Sequence, residues 1–218
     1  KEFLLLLKVK SEKLIIEFLD FIISFAQQSF LNEYLFFQSN DEIRIIYDLK
    51  TKIEKDKNIN ELEISILACY VPLNLSKIIS NKLVNYSAKN NLFNDLILIQ
   101  IKDHLREEEL KKSINSFDTI SDNISKKVRE QYEENPYPRW RYTNMTPKND
   151  FLSKLNNNIY PNKINLNTNN LKRDILIAGC GTGQQLVSNA SYENSDILAV
   201  DLSLSSLSFA KRKMQELN

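Results

Sequence analysis

Glycine is scarce in this chain of 218 residues, which contains only three. All three lie in one short stretch, Gly179-Cys180-Gly181-Thr182-Gly183. Glycine adopts backbone conformations that other residues reach only at a cost in free energy. A chain that avoids glycine elsewhere and gathers it at one turn therefore predicts a turn with an unusual backbone, and we expect the ligand chemistry at that turn.

Other scarcities exclude several classes of site. The two cysteines, Cys69 and Cys180, lie far apart and form neither a disulfide framework nor a zinc spacing, which fits a reducing cytoplasm. His104 is the only histidine, so we expect an ordinary helix-surface histidine, and any His–acid mechanism within these residues has to use it. The longest apolar runs, such as Phe3–Leu7, are too short to span a bilayer. The net charge of +1 gives no reason to expect nucleic acid or an anionic membrane as partner.

The residues around the glycine turn alternate between strand and helix patterns. The apolar run Ile175–Ala178 predicts a buried parallel strand, and the glycines follow it at once. Residues 184–190 have the pattern of a helix start, and a second apolar run, Ile197–Val200, ends at Asp201. The order strand, glycine turn, helix, strand, acid is typical of the first half of a nucleotide-binding α/β sheet.

The same layout indicates how a nucleotide is held. Glycines let a ligand touch bare backbone, and the helix N-terminus presents N–H groups to it. Asp201 follows the turn at about the 20-residue spacing at which an acid binds ribose hydroxyls. The dinucleotide fingerprint has glycine at its first, third and sixth places, but here Gln184 occupies the sixth place. This spacing disfavours an NAD(P)-dependent oxidoreductase, which stays an alternative.

The form G-C-G-T-G resembles motif I of the class I S-adenosylmethionine-dependent methyltransferases. The resemblance implies that the glycine turn cradles the methionine part of S-adenosyl-L-methionine and that the acid binds its ribose. The cofactor-binding residues that it implies are Gly179, Cys180, Gly181, Thr182, Gly183, Asp201, Leu202 and Ser203. The family usually has an acid two places before the first glycine, and Ile177 stands there in this chain.

Further segments resemble a bacterial subgroup of these enzymes that has a helical, tetratricopeptide-repeat-associated N-terminal region. They are VREQYEENPYPRWRY before the first strand, DLSLSSLSFAKRKMQEL after the second, and FLNEYLF and YVPL near the N-terminus. We found no convincing 34-residue repeat. The resemblance implies that residues 1–120 form a helical region for packing and partner or substrate presentation, and we expect a protein partner there.

Apolar residues at helical spacing predict helices from Leu14 onward, from Asp41-Glu42, over 61–70, over 75–86 and over 94–112. The acidic run Glu107–Glu109 is followed by Lys111-Lys112, and this pattern predicts near-neighbour ion pairs on a solvated face. Ser121-Asp122 is a candidate cap for a helix over 124–134.

Residues 121–170 are predicted to be a linker or lid that contains the stiff segment NPYPRW. Tyr132, Tyr137 and Trp140 are candidates to line the cofactor or substrate cleft, because aromatic rings beside arginines suit a flat or charged ligand. A plain anchor that packs the linker on the next domain is an equally good interpretation of Trp140.

The predicted fold is mixed. An α-helical N-terminal region is followed, over residues 171–218, by the truncated start of an α/β doubly wound, Rossmann-like methyltransferase domain. We therefore expect a fragment that is inactive alone, from a cytoplasmic enzyme that methylates a small molecule or protein. No catalytic residue and no metal ligand is identified. A non-catalytic helical adaptor with a vestigial nucleotide-binding portion is the third possibility.

Overall fold

The computed structural model describes residues 18–117, 119–144, 147–148, 150–165 and 172–217. The chain divides into two compact units, the first ending at Arg106 and the second beginning at Glu107. Within the described residues, none of the helices combines the length and the apolar character that crossing a membrane requires.

The first unit consists of helices around one apolar core. Its fully buried side chains include Ile22 and Ile23 from the first helix and Phe93 and Leu96 from a later one. The helices are α1 Leu19–Leu31, α2 Asn40–Lys55, α3 Glu61–Ala68, α4 Lys77–Leu83 and α5 Asn91–Ile97, with a 3₁₀ turn at Leu73–Leu75 and a π-helical turn at Leu98–Lys102.

Side-chain caps decide where these helices begin. Ser39 and Glu42 form a capping box at the start of α2, and Asn60 accepts N–H bonds at the start of α3. The helix predicted over 75–86 is shorter, because the Ser76 hydroxyl accepts the N–H of Ile79 and starts α4 there. Leu14, where the first predicted helix begins, lies outside the described residues.

Helix α6, Asp103–Lys111, contains the division between the two units. The predicted helical region extends further, to residue 120. Glu108 pairs with Lys111 at 2.7 Å as predicted. The prediction that Glu107 lies on a solvated face is wrong, because Glu107 is buried and accepts hydrogen bonds from Arg212 at 2.9 Å.

The second unit contains a small sheet with helices. Its elements are α7 Asn123–Glu134, α8 Phe151–Asn158, β1 Arg173–Ala178, α9 Gln184–Asn189, β2 Ser195–Val200 and α10 Leu204–Leu217. Strands β1 and β2 pair in parallel, with Ile175 opposite Ile197 and Ala178 opposite Val200. Asp122 caps α7 as predicted, since its carboxylate accepts the N–H of Ser125 at 2.7 Å.

One face of the sheet is packed and the other is open. Ile175, Ile177 and Ile197 pack in a cluster with Leu186 and Ala210. On the opposite face, Leu176 is 64% exposed and Leu198 is 53% exposed. The predicted buried strand is therefore buried on one side only, as expected where two strands alone leave an apolar face uncovered. The described fold is mixed and rich in helix, with a two-stranded parallel sheet.

Candidate functional site

The glycine turn joins the end of β1 to the start of α9. All three glycines have positive φ, +70° at Gly179, +51° at Gly181 and +85° at Gly183. The N–H groups of Gly179 and Cys180 both donate to the carbonyl of Val200, at 2.8 and 3.1 Å. The expectation that this turn needs a glycine backbone is confirmed, because side chains strain a left-handed conformation.

The three glycines serve two different purposes. A Cβ built on Gly183 would lie 2.7 Å from the Cβ of Ala210, so this position lets α10 pack against the turn. A Cβ built on Gly179 or Gly181 would meet no other atom of the described residues within 4 Å. Gly183 is therefore required by packing, whereas Gly179 and Gly181 present bare backbone to an open side, where a ligand can approach closely.

Asp201 lies directly beside this turn, at the carboxyl end of β2. Its Oδ2 accepts the N–H of Gly181 at 2.8 Å, and its Oδ1 accepts the N–H of Ser203 at 2.9 Å. A carboxylate offers about four lone-pair positions, so two backbone bonds fix its orientation and leave one position on each oxygen. Within the described part of the chain, no lysine or arginine forms a salt bridge with this carboxylate.

The eight residues predicted to bind a cofactor divide by accessibility. The accessible ones surround the open side of the turn and are Gly179, Gly181, Asp201 and Leu202. The buried ones hold the loops in place and are Cys180, Thr182, Gly183 and Ser203. A direct contact between these residues and a cofactor stays a prediction.

The segment before the sheet packs against the same turn. The indole N–H of Trp140 donates to the carbonyl of Thr182 at 3.0 Å, and the Thr182 hydroxyl donates to the carbonyl of Pro138 at 2.8 Å. Trp140 is 7% exposed and meets Phe209 edge-on, with ring centroids 6.0 Å apart. This burial favours the anchor interpretation of Trp140. Tyr137, at 59% exposure, does not share that burial.

Tyr132 and Glu133 reach the loop that carries Asp201. The Ser203 hydroxyl donates to the carbonyl of Tyr132 at 2.9 Å and to Glu133 Oε2 at 3.1 Å. The N–H of Ser205 also donates to Glu133 Oε2, at 3.0 Å. The ring of Tyr132 is exposed. Burial tends to raise the pKa of Glu133, but these hydrogen bonds and the charge of Lys111 outweigh it and hold the pKa below its ordinary value.

Sequence reasoning did not find Glu133 or Lys213. The Lys213 ammonium lies 4.9 Å from the centre of the Trp140 ring and donates to the carbonyl of Arg141 at 3.1 Å. Both residues act on partners about 70 positions away, and no local pattern encodes such a contact. Ser203 is the one member of this group with a local sequence signal, because a serine just before a helix is a common N-cap. In the structure, the Ser203 hydroxyl accepts the N–H of Ser206 in the first turn of α10.

Two other candidate groups are the thiol of Cys180 and the imidazole of His104. Burial, together with the nearby charge of Asp201, raises the pKa of the Cys180 thiol to about 11, which makes it a poor nucleophile at neutral pH. His104 lies half-buried on α6. Among the residues that the structure describes, no group of three or more histidine, cysteine, aspartate or glutamate side chains is placed to hold a metal ion.

No family model matches this sequence, and neither a curated protein nor a solved structure matches it.

Proposed function

We propose that this chain carries the cofactor-binding part of an S-adenosyl-L-methionine-dependent methyltransferase. The observation that carries the proposal is the 2.8 Å hydrogen bond from the Gly181 N–H to Asp201 Oδ2. It joins a glycine turn and an acid at the carboxyl ends of two adjacent parallel strands, the position where open α/β sheets bind nucleotides.

The chemistry of the two loops suits an adenosyl ligand. Asp201 is held by two backbone N–H groups and keeps an accepting position on each oxygen, which matches the paired hydroxyls of a ribose. Gly179 and Gly181 let a ligand approach the backbone without meeting a side chain. The cofactor, when bound, supplies an electrophilic methyl group, so the protein's task is to orient the acceptor and exclude water.

Two features separate this proposal from dinucleotide binding. The position where the dinucleotide fingerprint requires its third glycine is Gln184, the exposed first residue of α9. Glycine stands one place earlier, at Gly183, where the absence of a side chain lets Ala210 pack against the backbone. Ile177, at the position where the family usually has an acid, is buried, and its side chain has no polar group with which to bond the amino-acid end of the cofactor.

The proposal implies a small-molecule or protein methyl acceptor. It places the enzyme in the cytoplasm, a location that two free cysteines fit. The first unit is the candidate surface for a protein partner.

Calorimetric titration of the purified chain with S-adenosylmethionine, S-adenosylhomocysteine and NAD tests the proposal. We expect heat from both adenosyl-sulfur ligands and none from NAD. Asp201→Asn should weaken S-adenosylhomocysteine binding about tenfold or more, because a hydrogen bond to a charged group contributes roughly 1.5–3 kcal/mol.

The matched control is Asp196→Asn. Asp196 is an exposed carboxylate on the same strand, paired with Lys172 at 2.5 Å and away from the glycine turn. This variant should bind as the wild type does. Binding of NAD alone would replace the proposal with a dinucleotide-binding function, and binding of none of the three would leave a helical adaptor.

A further inference from the structure

The segment from Tyr132 to Trp140 contacts both loops of the candidate site. At one end, inside the glycine turn, the indole of Trp140 donates to the carbonyl of Thr182 and the carbonyl of Pro138 accepts the Thr182 hydroxyl. At the other end, Glu133 bonds Ser203, whose own N–H donates to Asp201. One continuous piece of chain therefore reaches the turn and the acid together.

The contact at Trp140 is rigid. The indole lies between Phe209, at 6.0 Å between ring centroids, and the Lys213 ammonium, at 4.9 Å from the ring centre. Trp140 and Thr182 are both buried, and each supplies a donor to the hydrogen-bond pair. Because the ring is held on its face and its edge, the direction of its N–H is fixed.

The glycine turn needs such support from outside. Three glycines in five residues give the backbone wide conformational freedom, and that freedom has to be lost when a ligand binds. A contact that fixes the turn beforehand reduces this loss and strengthens binding. Thr182 lies between Gly181 and Gly183, and a bond to its carbonyl restrains the peptide plane that joins Thr182 to Gly183.

We propose that Trp140 is a positioning residue for the nucleotide-binding turn, acting through the carbonyl of Thr182, while Glu133 positions Asp201 through Ser203. The first part concerns the conformation of the turn. Its effect on ligand affinity rests on the proposed function.

The test uses the fact that every glycine of the chain lies in this turn. Protein labelled with ¹⁵N-glycine gives three amide resonances, all from the turn, and labelling of tryptophan gives the single indole resonance of Trp140. In Trp140→Phe, which keeps an aromatic ring but removes the donor, we expect the glycine resonances to shift. We also expect the Gly183 amide, which shares a peptide group with the Thr182 carbonyl, to exchange with solvent about fivefold faster, because the indole no longer holds that peptide group.

Two threonine variants and one packing control complete the design. Thr182→Val removes the hydroxyl and should shift the same resonances, whereas Thr182→Ser keeps the hydroxyl and should restore them. Val187→Ala loosens the cluster around Trp140 and Phe209 but keeps both hydrogen bonds. It should lower stability without speeding the exchange of the Gly183 amide. Glu133→Gln should shift the Gly181 amide resonance. Glu133 bonds Ser203, and the N–H groups of Ser203 and Gly181 both donate to Asp201.

Binding of S-adenosylhomocysteine is then measured on the same samples. We expect Trp140→Phe to bind about fivefold more weakly than the wild type at conditions where both are folded. Unchanged glycine resonances in Trp140→Phe and Thr182→Val would overturn the positioning role whether or not a ligand binds. Shifted resonances with no binding to the wild type would instead overturn the proposed function alone. Shifted resonances with equal affinities would overturn the link to binding.

Discussion

Gly183→Ala should destabilise the second unit far more than Gly181→Ala, although both replace a glycine with positive φ. In Gly183→Ala the new Cβ lies 2.7 Å from the Cβ of Ala210 and 3.1 Å from Leu186 Cδ1, so helix α10 has to move. The left-handed conformation costs about 1–2 kcal/mol, the overpacking about 1–3 kcal/mol, and the stiffer unfolded chain returns about 0.4–1 kcal/mol. The expected net loss is about 2–4 kcal/mol.

In Gly181→Ala the new Cβ meets no other atom of the described residues within 4 Å, so only the conformational strain remains. The expected net loss there is about 1 kcal/mol. Urea unfolding followed by the fluorescence of Trp140, the only tryptophan, reports on the second unit and measures both values.

Ala210→Gly provides the decisive control, because it removes the atom that the new methyl group meets. In a double-mutant cycle, Gly183→Ala and Ala210→Gly should couple by about 1–3 kcal/mol in the favourable direction. Equal losses for Gly181→Ala and Gly183→Ala, together with a coupling near zero, would refute the assignment of Gly183 to helix packing.

Three further variants or reactions test the second unit. Glu107→Gln should lower the free energy of unfolding, measured in urea, by about 2–4 kcal/mol because it breaks a buried pair with Arg212. The control Glu108→Gln, on the same helix, should lower it by less than about 1 kcal/mol. Equal losses would contradict the burial of the Glu107–Arg212 pair. Burial raises the pKa of the Cys180 thiol to about 11, so Cys180 should resist a thiol reagent at pH 8 in the folded protein. It should react once urea unfolds the protein. Rapid labelling of the folded state would refute the burial of Cys180. The pKa of Glu133 is depressed in the fold, so its ionised carboxylate stabilises the protein above the ordinary value of about 4.3. That contribution is lost as the pH falls through the folded pKa. The stability difference between wild type and Glu133→Gln should therefore be present at pH 7 and shrink as the pH falls below the ordinary value; a difference that does not change with pH would contradict the lowered pKa.

Local patterns were sufficient for the elements around the site. The glycine run predicted the turn, the two short apolar runs predicted β1 and β2, and the helix start predicted at residues 184–190 is α9, Gln184–Asn189. These predictions succeed because strand alternation, helical periodicity and positive φ are encoded within a few residues.

Contacts between distant residues were beyond such patterns. The acidic run that contains Glu107 has the composition of a solvated face, and its burial depends on Arg212, which is 105 residues away. Trp140 illustrates the same limit, because its composition fits a lid and an anchor equally well. Its burial against Phe209 is decided by where the preceding segment meets α10.

The central claim is that the glycine turn and Asp201 together bind an adenosyl ligand. Titration of ¹⁵N-glycine-labelled protein with S-adenosylhomocysteine tests it most directly, because all three amide resonances come from the turn. The account predicts saturable shifts, largest for Gly179 and Gly181, whose midpoint moves to about tenfold or more higher ligand concentration in Asp201→Asn and stays at the wild-type value in Asp196→Asn. Resonances that stay unmoved at saturating ligand, or a midpoint that is unchanged in Asp201→Asn, would contradict it.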